Sequence, residues 1–309
     1  MFNLRSYQTD LISRIAADFS SGVQRVCAVA PCGAGKTVVV GWMAGKTALV
    51  NKRVLFLVHR WELIDQSDRT FTAMNIRHGI ISAGVPADYE SSVQIGSVQT
   101  VARRLTRIPP PDFIIIDEAH HATAGTWKKI MEAFPQAMTL GVTATPARLD
   151  GNGLGDIFQS LVMGPSVDEL IQWGNLSKYN YYAPPSKADI KSVRIQFGDY
   201  VKSELERAVD DDALVGDIVA NYQKLADGRQ TVCYCVSRKH SEHTAAKFRA
   251  AGISAAHVDG ETHKAERDRI ISDFRRKKLR VLCNVDLLGE GFDVPGMEAV
   301  ILADGRQRP

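Results

Sequence analysis

The chain has 309 residues, 45% hydrophobic and 24% charged, with a formal net charge of +3. These are globular proportions and exclude a disordered or fibrous chain, and the length suits two domains of ordinary size. The slight basic excess is compatible with a nucleic-acid partner without arguing for one.

No basic start backed by an apolar run opens the chain. The most apolar stretch, 37–50, is too short to span a bilayer and contains Lys46. The expectation is a soluble, cytoplasmic protein with no membrane partner.

In chain order, β-branched runs at 25–30, 53–58, 93–98, 113–117 and 138–142 read as buried strands, with helical stretches at 36–50 and 61–73 among them. Strands alternating with helices imply crossover units and a parallel sheet covered on both faces. Ala183-Pro184-Pro185-Ser186 is a linker signal. Beyond an irregular stretch with a helix at 189–212, the alternation restarts: strands at 231–236, 254–258, 281–285 and 299–303, helices at 241–251 and 265–276. The predicted organisation is α/β, with a first lobe over 1–165, a linker over 166–185 and a second lobe over 186–309.

Cys27, Cys32 and Cys283 stand alone, and Cys233-x-Cys235 lacks the second pair that a zinc site needs, so buried free thiols are expected. His240 and His243 lie one turn apart without a third ligand and read as a surface pair. The stretch 264–280 holds eight basic residues, a pattern that fits either a phosphate-binding footprint or a solvated helix face.

Two motifs carry chemistry. The first strand runs into Ala30-Pro31-Cys32-Gly33-Ala34-Gly35-Lys36-Thr37 and then a helix. A glycine-rich turn of this kind points backbone N–H groups inward, and the helix N-terminus favours an anion. Gly33, Ala34, Gly35, Lys36 and Thr37 would cradle the phosphates of ATP. Lys36 would reach the β and γ phosphates and the Thr37 hydroxyl would bind Mg²⁺. Ala30 stands where the general motif has its first glycine. The second motif, Asp117-Glu118-Ala119-His120, follows the run Phe113-Ile114-Ile115-Ile116. At the C-terminal end of a parallel strand, Asp117 can join the Mg²⁺ shell while Glu118 polarises the attacking water. His120 is the candidate for coupling that site to its surroundings.

With these motifs placed, the chain resembles the DEAD/DEAH-box superfamily-two helicases, in the RadD-like or phage-type branch. Leu4-Arg5-Ser6-Tyr7-Gln8 resembles the Q motif, which implies adenine recognition by Gln8 with Arg5 in support. Leu57-Val58-His59-Arg60-Trp61-Glu62-Leu63 looks like motif Ia, Gly96-Ser97-Val98-Gln99-Thr100 like motif Ib, and Thr143-Ala144-Thr145-Pro146 like motif III. Val236-Ser237-Arg238 resembles motif IV, followed by Val258-Asp259-Gly260-Glu261-Thr262, and 284–295 looks like motif V, with Gly291 and Asp293 as nucleotide contacts. The resemblance implies two tandem RecA-like lobes, with Arg60, Thr100, Arg238 and Thr262 on the backbone of a nucleic acid, taken as DNA, without sequence specificity. It also implies an ATP-dependent helicase or translocase, in which ATP closes the two lobes on the strand and hydrolysis, coupled to that closure, opens them.

The family's motif VI is not found before Pro309. The expectation is therefore a second lobe incomplete at its C-terminal end, truncated before that motif. An alternative function follows: a nucleotide-gated DNA-binding remnant, or a subunit completed by a further protein, with little hydrolysis. Arg306 and Arg308 are the nearby substitutes for the missing arginines.

Overall fold

The computed structural model describes residues 3–122, 125–146, 153–183, 192–196, 199–209, 212–288, 294 and 296–303. The chain forms two units, Met1–Asn180 and Tyr181–Pro309. Each is described by itself.

The first unit runs α1 (Ser6–Ser20), β1 (Arg25–Val29), α2 (Lys36–Leu49), β2 (Val54–Val58), α3 (Trp61–Ala73), β3 (Gly79–Ile81), β4 (Val93–Ser97), α4 (Val98–Arg103), β5 (Phe113–Asp117), α5 (Gly125–Ala133), β6 (Met138–Thr143), β7 (Ser160–Met163) and α6 (Val167–Gln172). Its seven strands lie in the order β3-β4-β2-β5-β6-β1-β7, every pair parallel. The continuous apolar runs read from the sequence are explained by burial on both faces. In β5, Phe113 and Ile115 join one core with α1, α2 and α3. Ile114 and Ile116 turn into a second core with Val101 of α4 and Trp127 of α5. Alternation is present but invisible in composition, because both faces are dry.

The segment 166–185, expected as a linker, contains α6. Ser166 accepts the Glu169 N–H and the Glu169 carboxylate accepts the Ser166 N–H, a reciprocal cap. Leu170 is fully buried in the first core. Helix α1 was not foreseen, although Tyr7, Leu11, Ile12 and Ile15 recur at helical spacing and are buried.

The second unit contains β8 (Ile195–Gln196), β9 (Asp199–Tyr200), α7 (Lys202–Val209), α8 (Asp212–Leu225), β10 (Thr231–Tyr234), α9 (Arg238–Ala250), β11 (Ala255–Val258), α10 (Lys264–Arg275), β12 (Val281–Asn284) and β13 (Ala299–Leu302). A parallel sheet in the order β11-β12-β10-β13 carries α9 on one face and α10 on the other. Both units are thus doubly covered parallel α/β sheets.

Cys233 sits in register with Cys283, and its Sγ lies 3.9 Å from that of Cys235, all three buried on the α9 face. Cys27 is also buried, and desolvation pushes its thiol up to about 12. Cys32 departs from the expectation of buried thiols: it is exposed on the turn after β1. His240 departs from the surface reading, since it is fully buried and its Nδ1 accepts the Val236 N–H at 3.4 Å.

The first sheet makes one sharp demand on side-chain size. A Cβ on Gly141 of β6 would lie 2.5 Å from the Phe158 ring and 2.8 Å from the Ala119 Cβ. Gly141→Ala is expected to destabilise the chain by about 1–3 kcal/mol, the usual cost of overpacking a dry core. Urea unfolding checks this, and an unchanged midpoint would show that the sheet yields there.

Candidate functional site

Parallel order brings the C-terminal ends of all strands to one edge of the sheet, where open α/β folds bind ligands. The turn after β1, the Asp117–Glu118 pair after β5 and Thr143 at the end of β6 meet there because the strand order is β5-β6-β1. The Ala30 N–H donates to the Thr143 carbonyl at 2.9 Å, tying the start of the cradle to β6.

Gly33 and Gly35 have φ of 81° and 80°, a region that side-chain-bearing residues avoid. A side chain there would also crowd its neighbours: a Cβ at Gly33 would lie 2.6 Å from the end of the Leu176 side chain, and one at Gly35 would lie 2.6 Å from Gln8 Nε2, so those side chains would have to shift. Gly35 is the N-cap of α2, so the helix begins at Lys36 and Thr37 and directs its first N–H groups into the cradle.

The Q-motif residues hold this loop. Gln8 is buried; its Oε1 accepts the Arg5 N–H at 3.0 Å and its Nε2 donates to the Ala34 carbonyl at 3.1 Å. The Tyr7 hydroxyl donates to the same carbonyl at 3.0 Å and accepts from the Arg5 guanidinium at 3.1 Å. Both ends of the Gln8 amide are engaged, so any contact with an adenine edge uses the second lone pair or the second N–H.

Lys36 Nζ lies 3.9 Å from the Glu118 carboxylate and 3.4 Å from the Ala30 carbonyl. Burial, and then the Glu118 charge, push the Asp117 carboxyl up to about 6, against the opposing pull of Lys36. Glu118 adopts a left-handed backbone at φ 49°, an uncommon state for a non-glycine residue. Thr143 Oγ1 donates to the Thr145 carbonyl at 3.0 Å, so His120 Nδ1, 3.0 Å away, is the donor to Thr143. The same Nδ1 lies 3.4 Å from the Glu118 carboxylate. Lys36, Asp117, Glu118 and His120 therefore form one cluster, as the sequence spacing implied.

The expected nucleic-acid residues are placed less uniformly. Arg60 caps the start of α3, partly exposed. Thr100 is buried and its hydroxyl accepts from Ser97 at 2.8 Å. Arg238 is held by Glu242, Asp259 and Glu261 at 3.0, 3.3 and 2.5 Å. The Thr262 hydroxyl is bonded to the Asp259 carboxylate at 2.8 Å. Gly291, Asp293, Arg306 and Arg308 lie outside the described residues. The basic run splits: Lys264 begins α10 at the C-terminal edge of the second sheet, whereas 275–280 lies at the opposite edge, just before β12.

The sequence reading did not single out His59, which follows β2, or His121. Their ring centroids are 4.8 Å apart, and the His121 centroid is 4.1 Å from that of His120. A histidine directly after a buried strand and a doubled histidine after the carboxylates were the available signals.

The raised Asp117 pKa has a consequence for stability. The folded, nucleotide-free chain binds this proton more tightly than the unfolded one. The stabilisation is complete below the ordinary value of 3.8 and is lost as pH rises through about 6. At pH 8 the ionised carboxylate costs up to about 3 kcal/mol. Asp117→Asn is therefore expected to raise the urea midpoint at pH 8, with a smaller gain at pH 5. No gain at pH 8 would contradict the burial argument.

Residues 1–148 match the family described as type III restriction enzyme, res subunit. Residues 213–309 match the helicase conserved C-terminal domain. A 51.5 kDa protein of Lactococcus phage (isolate 7-9) is 40% identical over 272 residues, covering 88% of this chain and 57% of that protein. The DNA 3'-5' helicase XPB of Kineococcus radiotolerans is 26% identical, covering 98% of this chain and 54% of its own length. The chain thus spans little more than half of these relatives. The fold matches that of the ATP-dependent type ISP restriction-modification enzyme LlaBIII bound to DNA, with a TM-score of 0.69 at 18% identity, over 98% of this chain and 26% of that one. Two helicase-type domains in this order, on two parallel α/β sheets, make the chain a member of the superfamily-two helicases.

Proposed function

We propose that the chain is the ATP-dependent motor of a DNA helicase or translocase acting in the cytoplasm. Residues 1–165 would be its ATP-binding lobe, 186–309 its C-terminal lobe and 166–185 their connection. Among the described residues, no helix is long and apolar enough to cross a membrane. The observation that carries the proposal is the cluster of Lys36, Asp117, Glu118 and His120 at the edge of the first sheet, beside a turn whose Gly33 and Gly35 both have positive φ.

In this reading Gly33, Ala34, Gly35 and the first turn of α2 take the phosphates of ATP, and Lys36 leaves Glu118 for the β and γ oxygens. Glu118, released from the ammonium, polarises the attacking water. The oxygen donors of Thr37 and Asp117 suit Mg²⁺. The fit is supported by Asp117 itself, a buried carboxyl that desolvation and the Glu118 charge raise to about 6 without a stronger cation beside it. When bound, Mg²⁺ neutralises phosphate charge. His120 holds Thr143 and steadies Glu118. Gln8 and Arg5 fix the cradle and offer their remaining polar capacity to adenine; Gly291 and Asp293 are nucleotide contacts only by the family resemblance.

Arg60, partly exposed at the start of α3, is the readiest contact for a DNA backbone. Arg238 and Thr262 would serve the same partner by exchanging their carboxylate partners for phosphate, and Thr100 by supporting the loop after β4. The DNA in the LlaBIII complex supports DNA as the polymer. Contacts to the backbone predict binding that falls with salt and ignores sequence.

Steady-state hydrolysis with and without single- and double-stranded DNA is the test. Lys36→Ala is expected to weaken ATP binding roughly ten- to hundredfold, the value of a charge-assisted contact. Glu118→Gln is expected to keep binding and lose about 10²–10⁴ in turnover. Equal ATP affinities in wild type and Lys36→Ala would sink the cradle assignment. A wild type that binds ATP and DNA without turnover would favour the nucleotide-gated clamp.

A further inference from the structure

The β2–α3 turn carries two groups suited to a nucleic-acid strand: Arg60, and the indole of Trp61, 47% exposed. A cation beside an exposed aromatic ring is the pairing that grips a strand by phosphate and by stacking. The residue just before them, His59, has both ring nitrogens buried.

From His59 a line of rings leads to the hydrolytic site. The His59 and His121 centroids are 4.8 Å apart at an interplanar angle of 58°, and those of His121 and His120 are 4.1 Å apart at 45°. His120 in turn lies 3.4 Å from the Glu118 carboxylate. His120 and His121 share the tight turn Ala119–His121, which is pinned at its base by the fully buried Ala119 and by the His121 N–H donating to the Glu118 carbonyl at 2.9 Å. Rings packed this closely cannot slide independently, so a shift at His59 must be taken up by His121 and passed to the turn that aims Glu118. Glu118 also has a left-handed backbone, a strained conformation that persists only where its surroundings hold it.

We propose that His121, together with His59, is a positioning residue that couples nucleic acid held at residues 60–61 to the aim of Glu118 on the attacking water. The proposal rests on the motor reading above and adds the route by which the strand reports to the hydrolytic site. His121 touches neither nucleotide nor strand in this scheme. Its effect is confined to the difference between stimulated and basal turnover.

The test compares wild type with His121→Ala, His59→Ala and His121→Phe, measuring ATP affinity, basal hydrolysis and hydrolysis at saturating oligo-dT. In both alanine variants the stimulation is expected to fall at least about fivefold, the lower end of typical site-to-site coupling, while ATP affinity and basal turnover hold. His121→Phe keeps a ring in the stack and is expected to retain most of the stimulation. If His121→Ala unfolds, His59→Ala trims the other end of the same stack and reads the same loss. Undiminished stimulation in the alanine variants would overturn the coupling. So would a parallel loss of basal turnover and ATP affinity across His121→Ala and His121→Phe, which would mark mere scaffolding. A wild type whose hydrolysis ignores oligo-dT would overturn the motor reading and the coupling with it, an outcome distinct from a stimulated wild type matched by its variants.

Discussion

Asp117 and Glu118 put two adjacent carboxylates at the head of a fully buried strand, and desolvation makes that arrangement costly unless cations share it. Lys36 supplies part of the compensation from across β6 and β1, at 3.9 Å from Glu118. It is not enough to ionise Asp117 readily, whose carboxyl stays raised to about 6. The charge imbalance is a direct result of topology. A parallel sheet delivers every strand end to one edge, so a basic turn after β1 and an acidic one after β5 must meet. In the function we propose, a phosphate chain with a divalent cation would satisfy both sides of such a site, taking the ammonium and bringing a stronger positive charge to the carboxylates.

Much of the remaining first unit serves to keep that edge rigid. Arg5, Tyr7 and Gln8 clamp the Ala34 carbonyl from one side. The segment following α6 closes on the same region: Leu176 packs against Gly33, and Trp173 stacks on Tyr7 with centroids 6.0 Å apart. The glycines there answer both to positive φ and to this crowding. In the second unit, Arg238 sits among three carboxylates and Thr262 closes a turn on Asp259. These groups are organised by internal bonds and would have to trade them for phosphate.

The sequence disclosed the strands that are long and β-branched, such as β2 and β5, because double-sided burial forces near-continuous apolar runs. It did not disclose the two edge strands: β3, of only three residues, and β7, in which Val162 alone is buried, so neither leaves a continuous apolar run. Helix α6 was hidden inside a stretch that looked like a linker, although Ser166 and Glu169 spelled its cap and Leu170 its buried side. Lys36, Asp117, Glu118 and His120 were legible because motif spacing and strand ends together dictate their convergence. The engagement of Gln8 by Arg5 and Ala34 was not, because a side-chain amide chooses its partners only in three dimensions. His240 was misread as a surface residue because its neighbours on α9 are polar in composition; the folded helix turns it under β10. The His59–His121–His120 stack depends on a turn after β2 meeting a turn after β5, strands that are neighbours in space and far apart in sequence.

We propose that the acidic pair, Asp117 buried and Glu118 partly so, takes a divalent cation carried in with a nucleotide. Thermal melting with ATP measures it most directly, run with Mg²⁺ and with chelator, on wild type and on Asp117→Asn. Wild type is expected to show a large upward shift with ATP and Mg²⁺ and a small one with ATP and chelator, and Asp117→Asn, which keeps only Thr37, is expected to show a much smaller Mg²⁺-dependent difference. Equal shifts with and without Mg²⁺ in the wild type, or a full Mg²⁺ effect surviving in Asp117→Asn, would contradict it.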